Sequence, residues 1–236
     1  MVHEIFIALG IVALMSVSAA PPLNSGRSGQ NEPQGGRVAE TANDIHPILV
    51  GMKIPDVLLT AVDGQPVRLS SLLEKGPIVL VFYRGGWCPY CNLQLEQLHT
   101  VEDDVLELGY QIVAISADRP ENAEQSVEKH NLHYTLLSDS AKTAAKVFGL
   151  AYKVDEKTLE ASKTFGITLE AASGLNDHVL PVPAVFVVQK DGSIIFEYVN
   201  PNFKVRLNAR VLLAILKAEN EETKTGSKER EPSGTK

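Results

Sequence analysis

The only two cysteines of this chain lie three positions apart, in the segment Trp87-Cys88-Pro89-Tyr90-Cys91. Strand-forming residues occupy 78–83 before the pair, and an apolar helical pattern follows it. That pattern is carried by Leu93, Leu95, Leu98, Val101 and Val105. A CxxC pair at a strand-to-helix junction is typical of a thiol–disulfide site. The fold must therefore place a helix N-terminus directly after a buried strand.

The start of a helix favours ionisation of Cys88. A free thiol has a pKa of about 8.5, so little thiolate is present at neutral pH. The unpaired N–H groups and the dipole at a helix N-terminus favour the anion. Cys91 lies one helical turn on and can close a disulfide with Cys88. Pro89 suits the first turn, where its missing N–H costs nothing.

Two other interpretations of the cysteine pair are weaker. A structural zinc site would need two more ligands, but there is no further cysteine, and the histidines show no HxxxH spacing. A structural disulfide across two residues would remove little entropy from the unfolded chain. We therefore predict redox chemistry with no metal and no organic cofactor. The six histidines are His3, His46, His99, His130, His133 and His178.

Length and composition predict one domain of ordinary size with tails. The chain has 236 residues, of which 44% are hydrophobic, and this is enough to build a full core. Its formal charge of −7 argues against a nucleic-acid surface or an anionic membrane surface as partner. We place the ordered domain at 45–218, after a disordered linker at 21–44 and before a disordered charged tail at 219–236.

Residues 1–20 have the size of a signal peptide, with an apolar run at 5–15 followed by small residues. Two features weaken this interpretation: the segment before the apolar run has no Lys or Arg, and it contains Glu4. The alternatives are an uncleaved membrane anchor and a wrongly assigned start codon. We expect an exported protein, periplasmic or extracellular, and a cytoplasmic one if the segment is not a signal.

The periodicity of the chain predicts an α/β fold. A hairpin around Asp63-Gly64 comes first. Strands alternate with helices through the middle, and 150–179 is predicted to be a helical insertion without a strand. This order predicts a mixed central sheet flanked by helices. The other predicted elements are a short helix to Glu74, a helix ending at Gly109, strands at 111–116, 134–137, 184–188 and 193–198, and helices at 118–130, 141–148 and 208–217.

Six further segments carry a resemblance to a known family: Val50–Asp56, Asp63–Gln65, Val79–Tyr83, Ala114–Asp118, Leu136–Asp139 and Val187–Gly192. With these segments, the chain resembles the thioredoxin fold and, more narrowly, the peroxiredoxin superfamily (alkyl hydroperoxide reductase and thiol-specific antioxidant group). The resemblance covers about 46–217. The segment Arg84–Cys91 resembles a divergent peroxiredoxin-like branch, with CPYC as its thioredoxin-type motif.

The resemblance implies a mechanism and a set of supporting residues. Cys88 would attack peroxide and become a sulfenic acid, Cys91 would resolve it to a disulfide, and a thioredoxin-like donor would reduce that disulfide. Pro183 matches the cis proline that packs against the redox cysteines in the thioredoxin fold. Arg84 and Arg206 are the candidates for the arginine that assists the attacking sulfur. Trp87 is a candidate for shielding the site or docking a partner, or for packing alone.

One departure from the family concerns the active-site loop. The family motif is Pro-x-x-x-Thr-x-x-Cys, but Val81 stands at the Pro position and Gly85 at the Thr position. The Thr hydroxyl that helps hold peroxide is therefore missing, which puts fast peroxidase activity in question.

Three functions follow from the sequence, in decreasing order of preference. The first is a thiol peroxidase, and the second is a thiol–disulfide oxidoreductase acting on protein disulfides. The third is a non-catalytic binding module with a structural disulfide. CPYC also matches glutaredoxins, but these are shorter and lack the N-terminal hairpin. The oligomeric state stays open.

Overall fold

The computed structural model of the protein describes residues 36–228. Its strands are β1 (Leu58–Ala61), β2 (Pro66–Arg68), β3 (Ile78–Tyr83), β4 (Gln111–Ser116), β5 (Thr135–Ser138), β6 (Ala151–Lys153), β7 (Val179–Pro181), β8 (Ala184–Val188) and β9 (Ile194–Val199). Its helices are α1 (Leu69–Leu73), α2 (Pro89–His99), α3 (Glu102–Glu107), α4 (Pro120–His130), α5 (Thr143–Val147), α6 (Glu156–Thr164), α7 (Leu169–Ser173) and α8 (Ala209–Lys228).

Seven strands form one mixed sheet in the order β2-β1-β5-β4-β3-β8-β9. The central strands β3, β4 and β5 are parallel, and the other pairings in this sheet are antiparallel. All six residues of β3 are buried, as expected for a strand that is covered on both faces. The predicted mixed sheet flanked by helices is confirmed. The predicted hairpin forms β1 and β2, and β1 pairs with β5.

The alternation of side chains along β3 divides the core into two layers. Val79, Val81 and Tyr83 pack in the layer that contains both cysteines, together with α2, α3 and the apolar side of α8. Ile78, Leu80 and Phe82 pack in the opposite layer with α1 and α5. β3 ends at Tyr83, and the loop that carries Cys88 follows it directly.

The helix predicted after the cysteines is two helices in the structure. It breaks at Thr100 and Val101, where Val101 has φ −118° and ψ 6°. Leu93 was predicted to be buried, but it is 53% exposed. The buried stripe of α2 is Cys91, Leu95 and Leu98. Leu93 is two residues from both Cys91 and Leu95, and this spacing places it on the opposite side of a 3.6-residue helix.

The segment 150–179 was predicted to contain no strand, and this prediction was wrong. Along the chain, β6 precedes helices α6 and α7, and β7 follows them. The two strands pair with each other in a separate two-stranded sheet. Each strand has only three residues, which is too short for a recognisable alternation. Their pairing depends on a contact between distant parts of the chain.

Part of the predicted linker packs on the domain. Ala39 forms a parallel bridge with Tyr152, and its N–H donates to the carbonyl of Ala151 over 2.9 Å. The packed chain therefore begins before the predicted start at 45. At the other end, α8 continues to Lys228, beyond the predicted end of this helix at Lys217. The residues after Lys217 include Ala, Glu and Lys, which favour helices.

Three predicted segments lie wholly or partly outside the described residues, and one of them is the predicted linker, whose first part, 21–35, is not described. The predicted signal peptide at 1–20 is wholly outside, and so is the end of the charged tail, 229–236. Within 36–228, no helix has both the length and the apolar character needed to cross a bilayer.

Candidate active site

Cys88 and Cys91 lie at the N-terminus of α2, as the sequence predicts. Cys88 is the N-cap residue with extended backbone angles, and Pro89 occupies the first helical position. The N–H groups of Cys91 and Asn92 donate to the carbonyl of Cys88 over 3.0 and 3.1 Å. Both thiols are free and buried, and Cys88 is only 1% exposed. A reactant must therefore be small or the helix start must move.

The two thiols ionise differently. A hydrogen bond from the Cys91 thiol lowers the pKa of Cys88 to about 6, against the opposing effect of burial, and the positive charge of Arg84 adds to the lowering. Burial and the neighbouring Cys88 sulfur hold the pKa of Cys91 well above its ordinary value. At neutral pH the pair is therefore a Cys88 thiolate that accepts a hydrogen bond from a protonated Cys91.

Arg84 lies beside the Cys88 sulfur. Its Nη1 is 4.0 Å from Cys88 Sγ, and the side chain is buried. The guanidinium lies over the ring of Phe203, with 4.1 Å between Cζ and the ring centroid, and 5.0 Å from the centroid of Trp87. The two aromatic rings therefore fix the orientation of the cation. Within the described residues, its buried Nε has no hydrogen-bond partner.

Arg206 lies beside the other sulfur. Its Nη2 donates to Cys91 Sγ over 3.3 Å, and its Nη1 donates to Oε1 of Gln94 over 3.1 Å. Its Nε donates to the carbonyl of Phe203 over 2.8 Å. The structure thus brings both candidate arginines to the site, one at each sulfur. Sequence reasoning missed Phe203 and Gln94, which hold these arginines in place.

Asp118 fixes the loop before Cys88, and sequence reasoning missed its role. Its carboxylate accepts from the Gly86 N–H over 2.6 Å and from Trp87 Nε1 over 3.2 Å. The residue follows β4, and its own N–H donates to Ser116 Oγ over 3.2 Å. Burial raises the pKa of Asp118 to about 6. The available signal was an acidic residue two positions after the end of a buried strand.

The absence of the family threonine has a steric reason. A Cβ at Gly85 would lie 2.3 Å from Trp87 Nε1 and 2.5 Å from Asp118 Oδ1. No side chain fits there while Trp87 donates to Asp118. Gly85, Trp87 and Asp118 therefore depend on one another, and the hydrogen bond from Trp87 to Asp118 occupies the space that a threonine side chain at position 85 would need.

Pro183 differs from its predicted geometry. No peptide bond within residues 36–228 is cis, so the predicted cis bond was wrong. Pro183 is buried and stands between β7 and β8, directly before Ala184, which pairs with Phe82 of β3. The trans form is the more favourable isomer of an X–Pro bond.

Two cavities flank the loop. One, of about 240 Å³, is lined by Arg84, Tyr152 and Phe203 and by residues 40–43 of the predicted linker. The larger, of about 400 Å³, lies on the side of Trp87, Asp118 and Arg119. Neither cysteine lines either cavity. Of these two, the smaller cavity is the one whose lining includes Arg84, the arginine next to the Cys88 sulfur.

The chain is similar in sequence and in fold to known thiol-dependent oxidoreductases. The chain is 33% identical over 107 residues to peroxiredoxin Bcp of Escherichia coli (strain K12), covering 45% of this chain and 67% of that protein. It is 24% identical over 159 residues to the thiol-disulfide oxidoreductase ResA of Bacillus thuringiensis, covering 67% and 74%. The crystal structure of peroxidoxin BcpB from Mycobacterium tuberculosis superposes with a TM-score of 0.57 at 26% identity, covering 72% and 96%.

The family assignment rests on a match that covers most of the described residues. Residues 50–197 match the AhpC/TSA family, and this range includes both cysteines, Arg84, Asp118 and Pro183. The chain is therefore a member of the AhpC/TSA family, a peroxidase-type oxidoreductase of the peroxiredoxin superfamily with a thioredoxin-like fold.

Proposed function

We propose that this protein reduces hydrogen peroxide or alkyl hydroperoxides through Cys88 and resolves the product with Cys91. The observation that carries the proposal is the position of Cys88, a buried N-cap residue only 1% exposed, with the Arg84 guanidinium 4.0 Å from its sulfur. This environment lowers the pKa of the thiol to about 6. A residue this deeply buried favours a small reactant, because a peroxide needs a much smaller opening to reach the sulfur than a folded protein disulfide does.

In the first step, the Cys88 thiolate attacks one oxygen of the peroxide and the O–O bond breaks. The attacked oxygen stays on sulfur as a sulfenic acid, and the other oxygen leaves as water or alcohol after taking a proton. Arg84 takes the place of the missing threonine hydroxyl. Its Nη1 lies 4.0 Å from the sulfur, so its charge can stabilise the negative charge that develops on the leaving oxygen, and its buried Nε–H has no other partner within the described residues.

In the second step, the Cys91 sulfur attacks the sulfenic sulfur and water leaves. Oxidation of Cys88 removes the thiolate that helps to raise the pKa of Cys91. The Arg206 guanidinium at 3.3 Å then favours the Cys91 thiolate. The arrangement therefore keeps Cys91 protonated until its reaction partner has formed.

A dithiol donor of the thioredoxin type closes the cycle by supplying two electrons through thiol–disulfide exchange. This step requires one sulfur to become accessible, and thus a movement of the start of α2. The second candidate function is exchange with protein disulfides. It is favoured by the CPYC sequence and by the likeness to ResA.

The test uses Cys91→Ser, which stops the cycle after the first step. Treatment with one equivalent of hydrogen peroxide should give a Cys88 sulfenic acid, trapped by a dione reagent and located by mass spectrometry. The wild type should give only the Cys88–Cys91 disulfide, and Cys88→Ser should give neither. Rapid reaction of the wild type with a protein disulfide, combined with no sulfenic acid in Cys91→Ser, would favour the second function.

A further inference from the structure

A group of potential metal ligands lies at the C-terminal end of α2, whereas the cysteines lie at its N-terminus. His99 is the last residue of α2, Glu102 is the first residue of α3, and His133 lies between α4 and β5. One nitrogen of each histidine and one oxygen of Glu102 lie within 4.8 Å of one another. The histidine spacing alone predicted no metal site, because these residues meet only in the folded chain.

The distances suit a first-row metal ion. His99 Nδ1 and Glu102 Oε2 are 3.0 Å apart. Zinc–nitrogen and zinc–oxygen bonds of about 2.0–2.2 Å at tetrahedral angles place ligand atoms roughly 3.3 Å apart. The His133 ring is exposed, with its centroid 5.1 Å from that of His99. Rotation of this exposed side chain can close the remaining distance.

The backbone around the group is held firmly. The Tyr134 hydroxyl donates to the carbonyl of Leu95 over 2.9 Å and fixes the residue after His133 against α2. Leu132, the residue before His133, is buried, and its N–H donates to the carbonyl of Val127 over 3.1 Å. The three ligands therefore do not depend on a long flexible loop.

Charge also favours a cation here. Glu102 is a buried carboxylate, only 6% exposed, and one of its oxygens contacts the His99 ring. Asp103 and Asp104 follow it in the first turn of α3. A divalent ion would neutralise the buried carboxylate and the acidic turn, and solvent beside His133 leaves room for a fourth ligand.

We propose that His99, Glu102 and His133 bind a divalent first-row transition metal, with zinc as the representative ion. Two imidazoles and one carboxylate with an open position form a ligand set that zinc uses. The ion would connect the α2–α3 corner to the segment between α4 and β5. This proposal is independent of the peroxidase chemistry, since the ligands lie outside the thiol site.

The test is zinc binding by calorimetry to the full chain carrying Cys88→Ser and Cys91→Ser, so that no thiol competes. We expect one zinc ion per chain, and a loss of at least about 100-fold in affinity on His133→Ala, since even partners outside the ligand set are worth 10–100-fold. His133 is exposed, so this variant should fold. His46→Ala, also at an exposed histidine, is the matched control and should bind zinc unchanged.

Cobalt(II) provides a second readout. The same protein should give the visible absorption of a tetrahedral nitrogen and oxygen site, and this absorption should be absent from His133→Ala and from Glu102→Gln. Circular dichroism of each variant shows whether it is folded. Failure of the parent protein to bind zinc, or equal binding by His133→Ala and His46→Ala, would overturn the proposal.

Discussion

Cys88 and Cys91 have the same side chain, but their pKa values shift in opposite directions. Cys88 accepts a hydrogen bond and lies beside Arg84, whereas Cys91 is fully buried beside an anionic sulfur. The sequence predicted which cysteine ionises, because only Cys88 stands at the helix N-cap. It could not predict the size of the difference, which depends on burial and on arginines from distant segments.

Replacing Arg84 by Met should raise the pKa of Cys88 by about one unit, since loss of a partly buried charge interaction of about 1.4 kcal/mol corresponds to that shift. Methionine keeps most of the packing against Phe203 and Trp87. At pH 6 the thiolate fraction would fall from about a half to about a tenth. The rate of alkylation of Cys88 as a function of pH measures this change.

Arg206→Met is the matched control for this experiment. Arg206 contacts the Cys91 sulfur, and its charge is the smallest of the effects on Cys88. Its removal should leave the pKa of Cys88 closer to that of the wild type. Equal shifts in the two variants would contradict the assignment of Arg84 to Cys88.

Restoring the family threonine with Gly85→Thr should impair the protein. The new Cβ would clash with the Trp87 indole and the Asp118 carboxylate, and overpacking of this kind costs about 1–3 kcal/mol. Gly64→Thr is the matched control: φ is positive at both glycines, +158° at Gly85 and +82° at Gly64, but a Cβ at Gly64 meets nothing within 4 Å. Urea unfolding should show the larger loss for Gly85→Thr. A gain in peroxide rate would contradict our account of the loop.

At the scale of elements, the sequence predicted those with long local patterns and missed those made by distant contacts. The all-apolar run of β3 and the Asp63-Gly64 turn were sufficient to predict the sheet and the hairpin. The pair β6 and β7 was missed because each has three residues and its partner lies far along the chain. Residues 40–43 were missed as a cavity wall because their composition is that of a linker.

The stability that Asp118 contributes, through its hydrogen bonds to the loop before Cys88, should depend on pH. Burial raises the pKa of Asp118 from 3.8 to about 6, so the folded state holds a proton that the unfolded state has already released between these values. The free energy of unfolding of the wild type should therefore fall, relative to that of Asp118→Asn, as pH rises from about 4 to 6. The expected change over this range is about 2 kcal/mol.

Urea unfolding of both proteins across this pH range measures that difference. The asparagine does not titrate, but it can accept only one of the two hydrogen bonds from Gly86 and Trp87. Trp87 fluorescence should therefore also change in Asp118→Asn. A difference in free energy that stays constant from pH 4 to pH 6 would contradict the raised pKa.

At the scale of the whole molecule, ionisation of Cys88 should stabilise the reduced protein. The pKa of Cys88 is about 6 in the folded state and about 8.5 in an unfolded chain. This stabilisation is fully present above about pH 8.5 and is lost as pH falls through 6. It amounts to at most about 3 kcal/mol.

Thermal or urea unfolding under reducing conditions can test this linkage. The wild type should gain stability relative to Cys88→Ser between about pH 6 and pH 8.5. Stability curves that stay parallel over this range would show that the folded state does not favour the thiolate. A stabilised thiolate also implies a disulfide that is readily reduced, as recycling by a dithiol donor requires.

The central claim is that the Cys88 thiolate reacts directly with peroxide. The most direct measurement is stopped-flow mixing of the fully reduced protein with hydrogen peroxide, followed through Trp87, the single tryptophan of the chain. We predict a fast phase that depends linearly on peroxide concentration, weakens below about pH 6 and is absent from Cys88→Ser. A rate no greater than that of a small free thiolate of the same pKa would contradict the account.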